Sequence, residues 1–170
     1  KIIISEIMRK YIYIIDASSI IEMKDRYPAN TFPSVWKNME KLFKDGRLIA
    51  PDEVKEELLD DELKKWIRNK KKMFIKPDLE QIKMVKEILE KNPFLAKPEK
   101  PGGPNADPWI IAFAMVLKNK EKQSLFSSKE YIVVTEESKL KSNRIPAVAK
   151  NYGIESINLK ELFQKEGWRF

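Results

Sequence analysis

Hydrophobic positions along the chain form two kinds of pattern, and the two kinds alternate. Tyr11–Ile15 and Tyr131–Thr135 are short runs of aromatic and β-branched residues that are apolar almost throughout. Such continuous runs predict strands buried on both faces, as in a parallel sheet. Leu48–Ala50 and Glu155–Ile157 are shorter segments of the same kind.

Helical patterns fill most of the chain between these runs. Trp109–Leu117 is apolar on every side, which predicts a helix in the middle of a domain. Tyr27–Pro33 and Pro93–Pro108 are predicted loops, because proline, glycine and asparagine interrupt the pattern there. Three of the other predicted helices are Ser18–Lys24, Asp78–Lys91 and a closing helix from Asn158. A further helix contains Val35, Met39, Leu42 and Phe43 and ends near Asp45-Gly46. Pro51 opens a charged helical region that runs to about Lys72, with a break near Asp60-Asp61.

Strands that alternate with helices predict an α/β fold layered around a mostly parallel sheet. A length of 170 residues suits one domain, and we expect a single domain over residues 1–170. Residues 1–10 are too short and too interrupted by charge for a secretory signal, and we expect a flexible or vector-derived extension there. No segment reaches the roughly 18–20 consecutive apolar residues of a membrane helix, so a cytoplasmic protein is expected.

Two residue types are absent, and their absence restricts the possible chemistry. The chain has no cysteine, which excludes disulfides, thiolate zinc sites and cysteine nucleophiles. It has no histidine, the commonest general base. Carboxylates with Mg²⁺ or Mn²⁺ are the leading way to hydrolyse a substrate with the side chains that remain. The net charge of +7 suggests a polyanionic partner, although a lysine-rich proteome produces the same signal.

Three acidic residues stand where an α/β fold places its ligands, beyond the carboxyl ends of the strands. Asp16 follows the first strand, Glu137 lies two residues past the Tyr131–Thr135 strand, and Asp107 precedes the apolar helix. Each also has a structural explanation. Asp16 could be a solvated strand end, Asp107 a helix N-cap, and Glu137 a solvated turn residue.

Glu57 is a fourth candidate, on an argument from helical phase. At about 100° per residue, Glu57 borders the apolar stripe that contains Val54 and Leu58, whereas Glu56 points to solvent. A charged helix face is its structural explanation. Four carboxylates in one cleft would remain ionised only with a cation among them. A bound Mg²⁺ or Mn²⁺ would support metal-assisted phosphodiester hydrolysis.

Four sequence strings resemble the PIN domain nucleases in order and spacing. They are YIIDASSI, PDEVKEEL, ADPWIIAFA and IVVTEES, and the tail RIPAVAKNYGIESINLKEL resembles the close of that domain. The family's first acid matches Asp16, its helix acid Glu57 and the acid opening its central helix Asp107. Its Thr-x-Asp motif appears as Thr135-Glu136-Glu137, so Glu137 departs from the usual aspartate. The nearest likeness is to a bacterial and archaeal branch related to toxins of the virulence-associated-protein C type.

This resemblance implies a three-layer α/β/α sandwich and Mg²⁺- or Mn²⁺-dependent cleavage of RNA by a toxin of a toxin–antitoxin pair. The four acids would be catalytic, with Asp16, Asp107 and Glu137 as metal ligands and Ser18 and Thr135 in supporting roles. RNA, an antitoxin protein and a second copy of the chain are the expected partners. Because of the longer side chain at Glu137, we expect that residue to be a weak or water-mediated ligand.

Basic residues offer two candidate RNA contacts. Arg144 and Lys150 follow the strand that bears Glu137, and a second run comprises Lys64, Lys65, Arg68 and Lys70–Lys72, although a solvated helix face explains such a run equally well.

Two alternatives to a nuclease remain open to different degrees. The first is a non-catalytic PIN-like module that binds RNA or an antitoxin. The second, a phosphotransferase with Asp16 as nucleophile, is disfavoured because DASSI lacks a second aspartate two residues on. A P-loop or dinucleotide site is absent, since the one Gly-Gly pair lies in a proline-rich loop.

Overall fold

A parallel β-sheet of five strands lies at the centre of the structure, a computed structural model that describes residues 10–97, 105–126 and 128–170. The strands and helices in chain order are β1 (Lys10–Ile15), α1 (Ala17–Arg26), α2 (Pro33–Lys44), β2 (Leu48–Pro51), α3 (Val54–Glu57), α4 (Asp61–Ile67), β3 (Phe74–Ile75), α5 (Leu79–Lys91), α6 (Asp107–Lys122), β4 (Lys129–Val134), α7 (Ile145–Asn151), β5 (Ser156–Ile157) and α8 (Leu159–Lys165). The strand order is β3-β2-β1-β4-β5, and each neighbouring pair is parallel.

Helices flank this sheet, which confirms the predicted α/β/α sandwich with a parallel sheet. Right-handed crossovers place the helices that follow β1 and β2 on one face and those that follow β3 and β4 on the other. The contacts agree, because α1 packs against α3, α4 and α8, whereas α6 packs against α5 and α7. The three-layer arrangement thus follows from the strand order.

The core explains why the two apolar runs became the central strands. Tyr13, Ile14 and Ile15 of β1 are fully buried, as are the last three residues of β4. The apolar helix α6 buries residues on all sides, as its sequence predicted. Every helix in the described ranges is too short or too polar to span a bilayer.

The chain reverses its direction of winding beside β1, and this reversal determines where a ligand site can form. From β1 the chain adds β2 and β3 on one side, and it then crosses over to add β4 and β5 on the other. Ile15 pairs with Val134 at the carboxyl ends of β1 and β4. The residues that follow these two strands therefore face one crevice, which is where α/β sheets bind ligands.

Two local predictions were wrong and one strand was not predicted, each for a physical reason. Pro51 does not open a helix but ends β2, where it pairs with Ile75. Strand β3 has only two residues, too few for a recognisable pattern, and it was not predicted. Lys70 belongs to the basic run but is buried and forms an ion pair with Glu40 at 2.8 Å, so it is not available to RNA.

Other boundaries were close to those predicted. The break in the charged region is confirmed, because the Asp60 carboxylate caps α4 by accepting hydrogen bonds from Glu62 N and Leu63 N. Within the predicted Pro93–Pro108 loop, Pro93–Ala96 form a short 3₁₀ helix. The extension predicted for residues 1–10 lies outside the described residues except for Lys10, which is the first residue of β1.

Candidate metal centre

Asp16 is held at the carboxyl end of β1 by hydroxyl groups from two parts of the chain. Its Oδ2 atom accepts hydrogen bonds from Ser18 Oγ at 2.7 Å and from Thr135 Oγ1 at 2.9 Å. Its backbone N–H donates to Val134 O at 2.8 Å, which fixes the residue to β4. Asp16 is only 4% exposed, so it is not a solvated strand end. Its pKa is raised, chiefly because burial disfavours the charged form.

The two hydroxyls are themselves oriented by the backbone that follows β4. Ser18 Oγ accepts a hydrogen bond from Glu136 N at 3.0 Å, and Thr135 Oγ1 accepts one from Glu137 N at 3.2 Å. Each hydroxyl oxygen therefore accepts a hydrogen bond from the backbone, while the hydroxyl donates its own hydrogen bond to Asp16. Ser18 and Thr135 lie where the sequence predicted supporting residues, in direct contact with the first acid.

Glu57 enters the same crevice from the end of α3. Val54 and Leu58 are fully buried, Glu56 is exposed and Glu57 is half-buried, which confirms the predicted helical phase. Burial, with the Asp16 and Asp107 carboxylates nearby, raises the pKa of Glu57 to about 7.

Asp107 is not the helix cap that its sequence context allowed. It is the first residue of α6, and its side chain makes no capping hydrogen bond. The carboxylate is 4% exposed and forms an ion pair with Lys97, whose Nζ lies 3.0 Å from Asp107 Oδ2. A buried carboxylate held in this way faces the site rather than its own helix.

Asp16, Glu57 and Asp107 form a carboxylate triad, in which one oxygen of each residue lies within 4.8 Å of the others. Ligands of an octahedral ion at 2.0–2.1 Å are about 3–4 Å apart, so a small closure brings the triad to that spacing. Carboxylate oxygens are the donors that Mg²⁺ and Mn²⁺ take. A cation also stabilises the ionised form of buried carboxylates that repel one another. The residues present therefore fit the expected ion.

Glu137 lies beside the triad but is not part of it. Its Oε2 atom accepts a hydrogen bond from Ile145 N at 2.8 Å, at the start of α7, and its Oε1 lies 3.6 Å from Arg144 Nη1. Burial, followed by the nearby Asp107 carboxylate, raises the pKa of Glu137. The charges of the triad therefore affect the Glu137 carboxylate, which is held by a hydrogen bond from the start of α7.

Lys97 was not among the residues predicted from sequence. Burial lowers the pKa of Lys97, but electrostatic attraction to its ion-pair partner Asp107 and to the Glu57 and Glu137 carboxylates outweighs burial, so the pKa is raised. Its sequence context is a proline-rich loop with several lysines, which carries no signal of this contact. Only the fold brings Lys97 to the start of α6.

The predicted RNA-binding residues lie in different places. Arg144 lies beside Glu137, with its Nη1 atom 3.6 Å from Glu137 Oε1. Lys150 is exposed on α7 and lines a separate cleft with Lys139 and Ser156. A further set, which we call the α4 basic surface, is exposed and consists of Lys64, Lys65 and Arg68.

Comparison with known proteins assigns the chain to a family. Residues 13–170 match the family described as Domain of unknown function (DUF4411). The match spans most of the chain and includes the triad, and the chain belongs to this family. The description names no activity, so the resemblance to PIN nucleases stays a prediction. No curated protein and no solved structure matched.

Proposed function

We propose that this chain is a metal-dependent ribonuclease that hydrolyses RNA phosphodiester bonds. The observation that carries the proposal is the carboxylate triad, three acids from separate elements whose oxygens converge within 4.8 Å at the winding reversal of the sheet. A divalent ion bound there would polarise a phosphate and make hydroxide available near neutral pH.

The chain's own residues have distinct roles in this proposal. Ser18 and Thr135 hold one oxygen of Asp16, and its carboxylate would be a ligand of the ion. Glu57 would be the third oxygen donor to the ion, from the end of α3. Asp107 would be a ligand from the start of α6, and Glu137 accepts the hydrogen bond from Ile145 N that orients the start of α7.

Polyanionic RNA is supported as the substrate by charge. The net charge is +7, Arg144 contacts Glu137, and the α4 basic surface forms no ion pair among the described residues. We further propose the narrower role implied by the resemblance, a cytoplasmic toxin held by an antitoxin, with a homodimer as its assembly.

Cleavage assays test the proposal directly. Purified protein is incubated with single-stranded and structured RNAs in Mn²⁺, in Mg²⁺ or in chelator. We expect cleavage only with metal, and none by Asp16→Asn, which removes a charged ligand at nearly constant shape. Circular dichroism checks that the variant is folded. Cleavage in chelator, or full activity of folded Asp16→Asn, would contradict the mechanism.

A non-catalytic PIN-like module is the second candidate, and one observation favours it. Lys97 already supplies a positive charge to Asp107, so part of the triad's charge is neutralised within the protein. If that contact sufficed, the chain would bind RNA or an antitoxin without binding a divalent ion. Calorimetric titration with Mn²⁺ separates the two functions, because only the nuclease requires an ion at the triad.

A further inference from the structure

A groove between α2 and α4 contains two aromatic rings. It has a volume of about 670 Å³, and its lining includes Trp36 of α2 and Trp66 of α4, both half-buried. The two ring centroids are 5.5 Å apart, and the ring planes stand at 89° to each other. A planar group can therefore lie flat against one ring while its edge meets the other. We call this cavity, lined by the two tryptophans with Lys37, Lys41 and Lys44, the α2–α4 groove.

Contacts outside the groove hold both rings in place. The ammonium group of the buried Lys70 lies 2.8 Å from Glu40 Oε2 and 4.6 Å from the centroid of the Trp66 ring, and it donates a hydrogen bond to Trp66 O at 3.0 Å. Trp36 Nε1 donates a hydrogen bond to Tyr27 O at 2.6 Å. A ligand would therefore meet rings that are already ordered, which lowers the entropic cost of binding.

Three lysines of α2 line the groove with charges that are not neutralised. Lys37, Lys41 and Lys44 are exposed, and none of them forms an ion pair with another described residue. Their spacing of four and then three residues places them along one face of the helix. Glu40 and Asp45 are the acidic residues of the lining, and the first already pairs with a buried lysine. The groove therefore combines aromatic rings with cations that are available to an anionic ligand.

The lining favours a nucleic acid over a protein partner. Ala29 is the one aliphatic residue among the described residues of the lining, whereas a groove that takes an amphipathic helix needs apolar pockets for its anchors. Aromatic rings flanked by cations are the combination that binds single-stranded nucleic acid, because bases stack on the rings and phosphates contact the cations. The bases of a duplex are stacked inside it and do not reach such rings.

The groove is separate from the carboxylate triad but close to it along the chain. Helix α4 begins at Asp61, four residues after Glu57, and its seven residues span about 10 Å, or about two helical turns. Trp66 lies in the last turn of α4, and no residue of the triad lines the groove. A ligand in the groove would therefore lie near the candidate metal centre without occupying it.

We propose that the α2–α4 groove binds a single-stranded segment of RNA, with a base against the tryptophan rings and phosphates on the lysines of α2. The choice of RNA rests on the proposed function, but binding in the groove requires no metal ion. The groove would thus be a second contact with the substrate, and it would favour single strands over duplexes.

Removing the charge of the groove tests the inference without using activity. Binding of a short labelled oligouridine to the full chain in chelator is measured by fluorescence anisotropy at several salt concentrations. Glutamine at Lys37, Lys41 and Lys44 should make the log–log slope of affinity against salt less steep by about 2, because each phosphate contact on a single strand contributes about 0.7.

A matched control separates the groove from net charge. Glutamine at Lys83, Lys86 and Lys91 removes the same charge from exposed positions of α5, on the other face of the sheet. This triple variant should keep the wild-type slope.

Replacing the tryptophans tests base stacking. Trp66→Leu should lower the affinity for oligouridine about tenfold, as expected for losing the stacking of one base, and Trp66→Phe should keep most of the affinity. Oligouridine should quench tryptophan fluorescence in the wild type. The Trp36→Phe/Trp66→Phe double variant should lose most of this quenching, and Trp109→Phe on α6 should retain it. Circular dichroism checks folding, and if Trp66→Leu does not fold, the phenylalanine and lysine variants still decide.

Several outcomes would overturn the groove. They are no binding of oligouridine by the wild type, a wild-type salt slope in the α2 lysine variant, unchanged tryptophan fluorescence, and tighter binding of an RNA duplex or of oligoglutamate than of oligouridine. RNA cleavage by a chain with any of these properties would leave the nuclease standing. Binding in the groove as expected, with no cleavage in Mn²⁺ or Mg²⁺, would support the groove and overturn the nuclease.

Discussion

Replacing Glu57 by glutamine isolates the electrostatic cost of the carboxylate triad. The pKa of Glu57 is raised from 4.5 to about 7, first by burial and then by the Asp16 and Asp107 carboxylates. The folded protein therefore holds this proton more tightly than the unfolded chain does. The resulting stability is fully present below pH 4.5 and is lost as the pH rises through about 7. The metal-free protein should become less stable between pH 5 and pH 8.

The magnitude follows from the size of the shift. A change from 4.5 to about 7 corresponds to about 3 kcal/mol at 1.36 kcal/mol per pKa unit. The side chain is half-buried, so screening by solvent reduces the effect, and we expect about 1–2 kcal/mol. Glutamine resembles the protonated acid and carries no charge at either pH.

Urea unfolding in chelator at pH 5 and pH 8 measures this difference. At pH 5, close to the ordinary pKa of 4.5, most of the stability remains, so Glu57→Gln should be only slightly more stable than the wild type. At pH 8 it should be more stable by about 1–2 kcal/mol. Glu56→Gln is the control, because that side chain is exposed, and it should match the wild type at both values.

Adding Mn²⁺ at pH 8 should reverse the order of stability. An ion at 100 times its dissociation constant stabilises the wild type by about 2.7 kcal/mol, and Glu57→Gln should gain less because it lacks a ligand. RNA cleavage should fall far more in Glu57→Gln than in Glu56→Gln. The reasoning would be refuted if, at pH 8 in chelator, Glu57→Gln were less stable than the wild type. It would also be refuted if Glu56→Gln were more stable than the wild type by as much as Glu57→Gln is.

Three further predictions concern the surroundings of the triad. Ser18→Ala removes a 2.7 Å hydrogen bond to a buried carboxylate, and urea unfolding at pH 8 should show a loss of about 1.5–3 kcal/mol; no loss would mean that Asp16 does not depend on this hydroxyl. Glu137→Gln should lower RNA cleavage modestly and Asp107→Asn severely, with Mn²⁺ rescuing only the former, and calorimetry showing equal loss of metal in both would make Glu137 a primary ligand. RNA affinity of the metal-free protein should fall with salt at a log–log slope of roughly −4 for six phosphate contacts. Glutamines in place of the basic residues of the α4 basic surface should make this slope less steep. A flat slope in the wild type would mean that the +7 charge is unrelated to RNA binding.

The sequence predicted those parts of the fold and site that depend on local pattern. Continuous apolar runs predicted β1 and β4, because a strand covered on both faces has no polar position. Helical phase alone distinguished Glu57 from Glu56. The rule that ligands bind beyond strand ends selected Asp16, and the resemblance to the PIN domains added the match of Ser18 and Thr135. Each of these inferences needs only residues close together in the chain.

Contacts between distant segments were decided by the tertiary structure. Pro51 ends a strand because β3 lies alongside it, and two residues are too few to predict that partner. Lys70 is buried because Glu40 and Phe43 of α2 pack against it.

The partners of the acids likewise come from distant segments and were not predictable from the sequence. The sequence identified Asp107 and Glu137 as acids near the carboxyl ends of the strands. It could not show that Lys97 pairs with Asp107, or that the start of α7 donates a hydrogen bond to Glu137. Electrostatic partners within a few ångströms determine how a carboxylate is charged and which ligand it can take. Chain order does not encode those distances, and they exist only once the layers have packed.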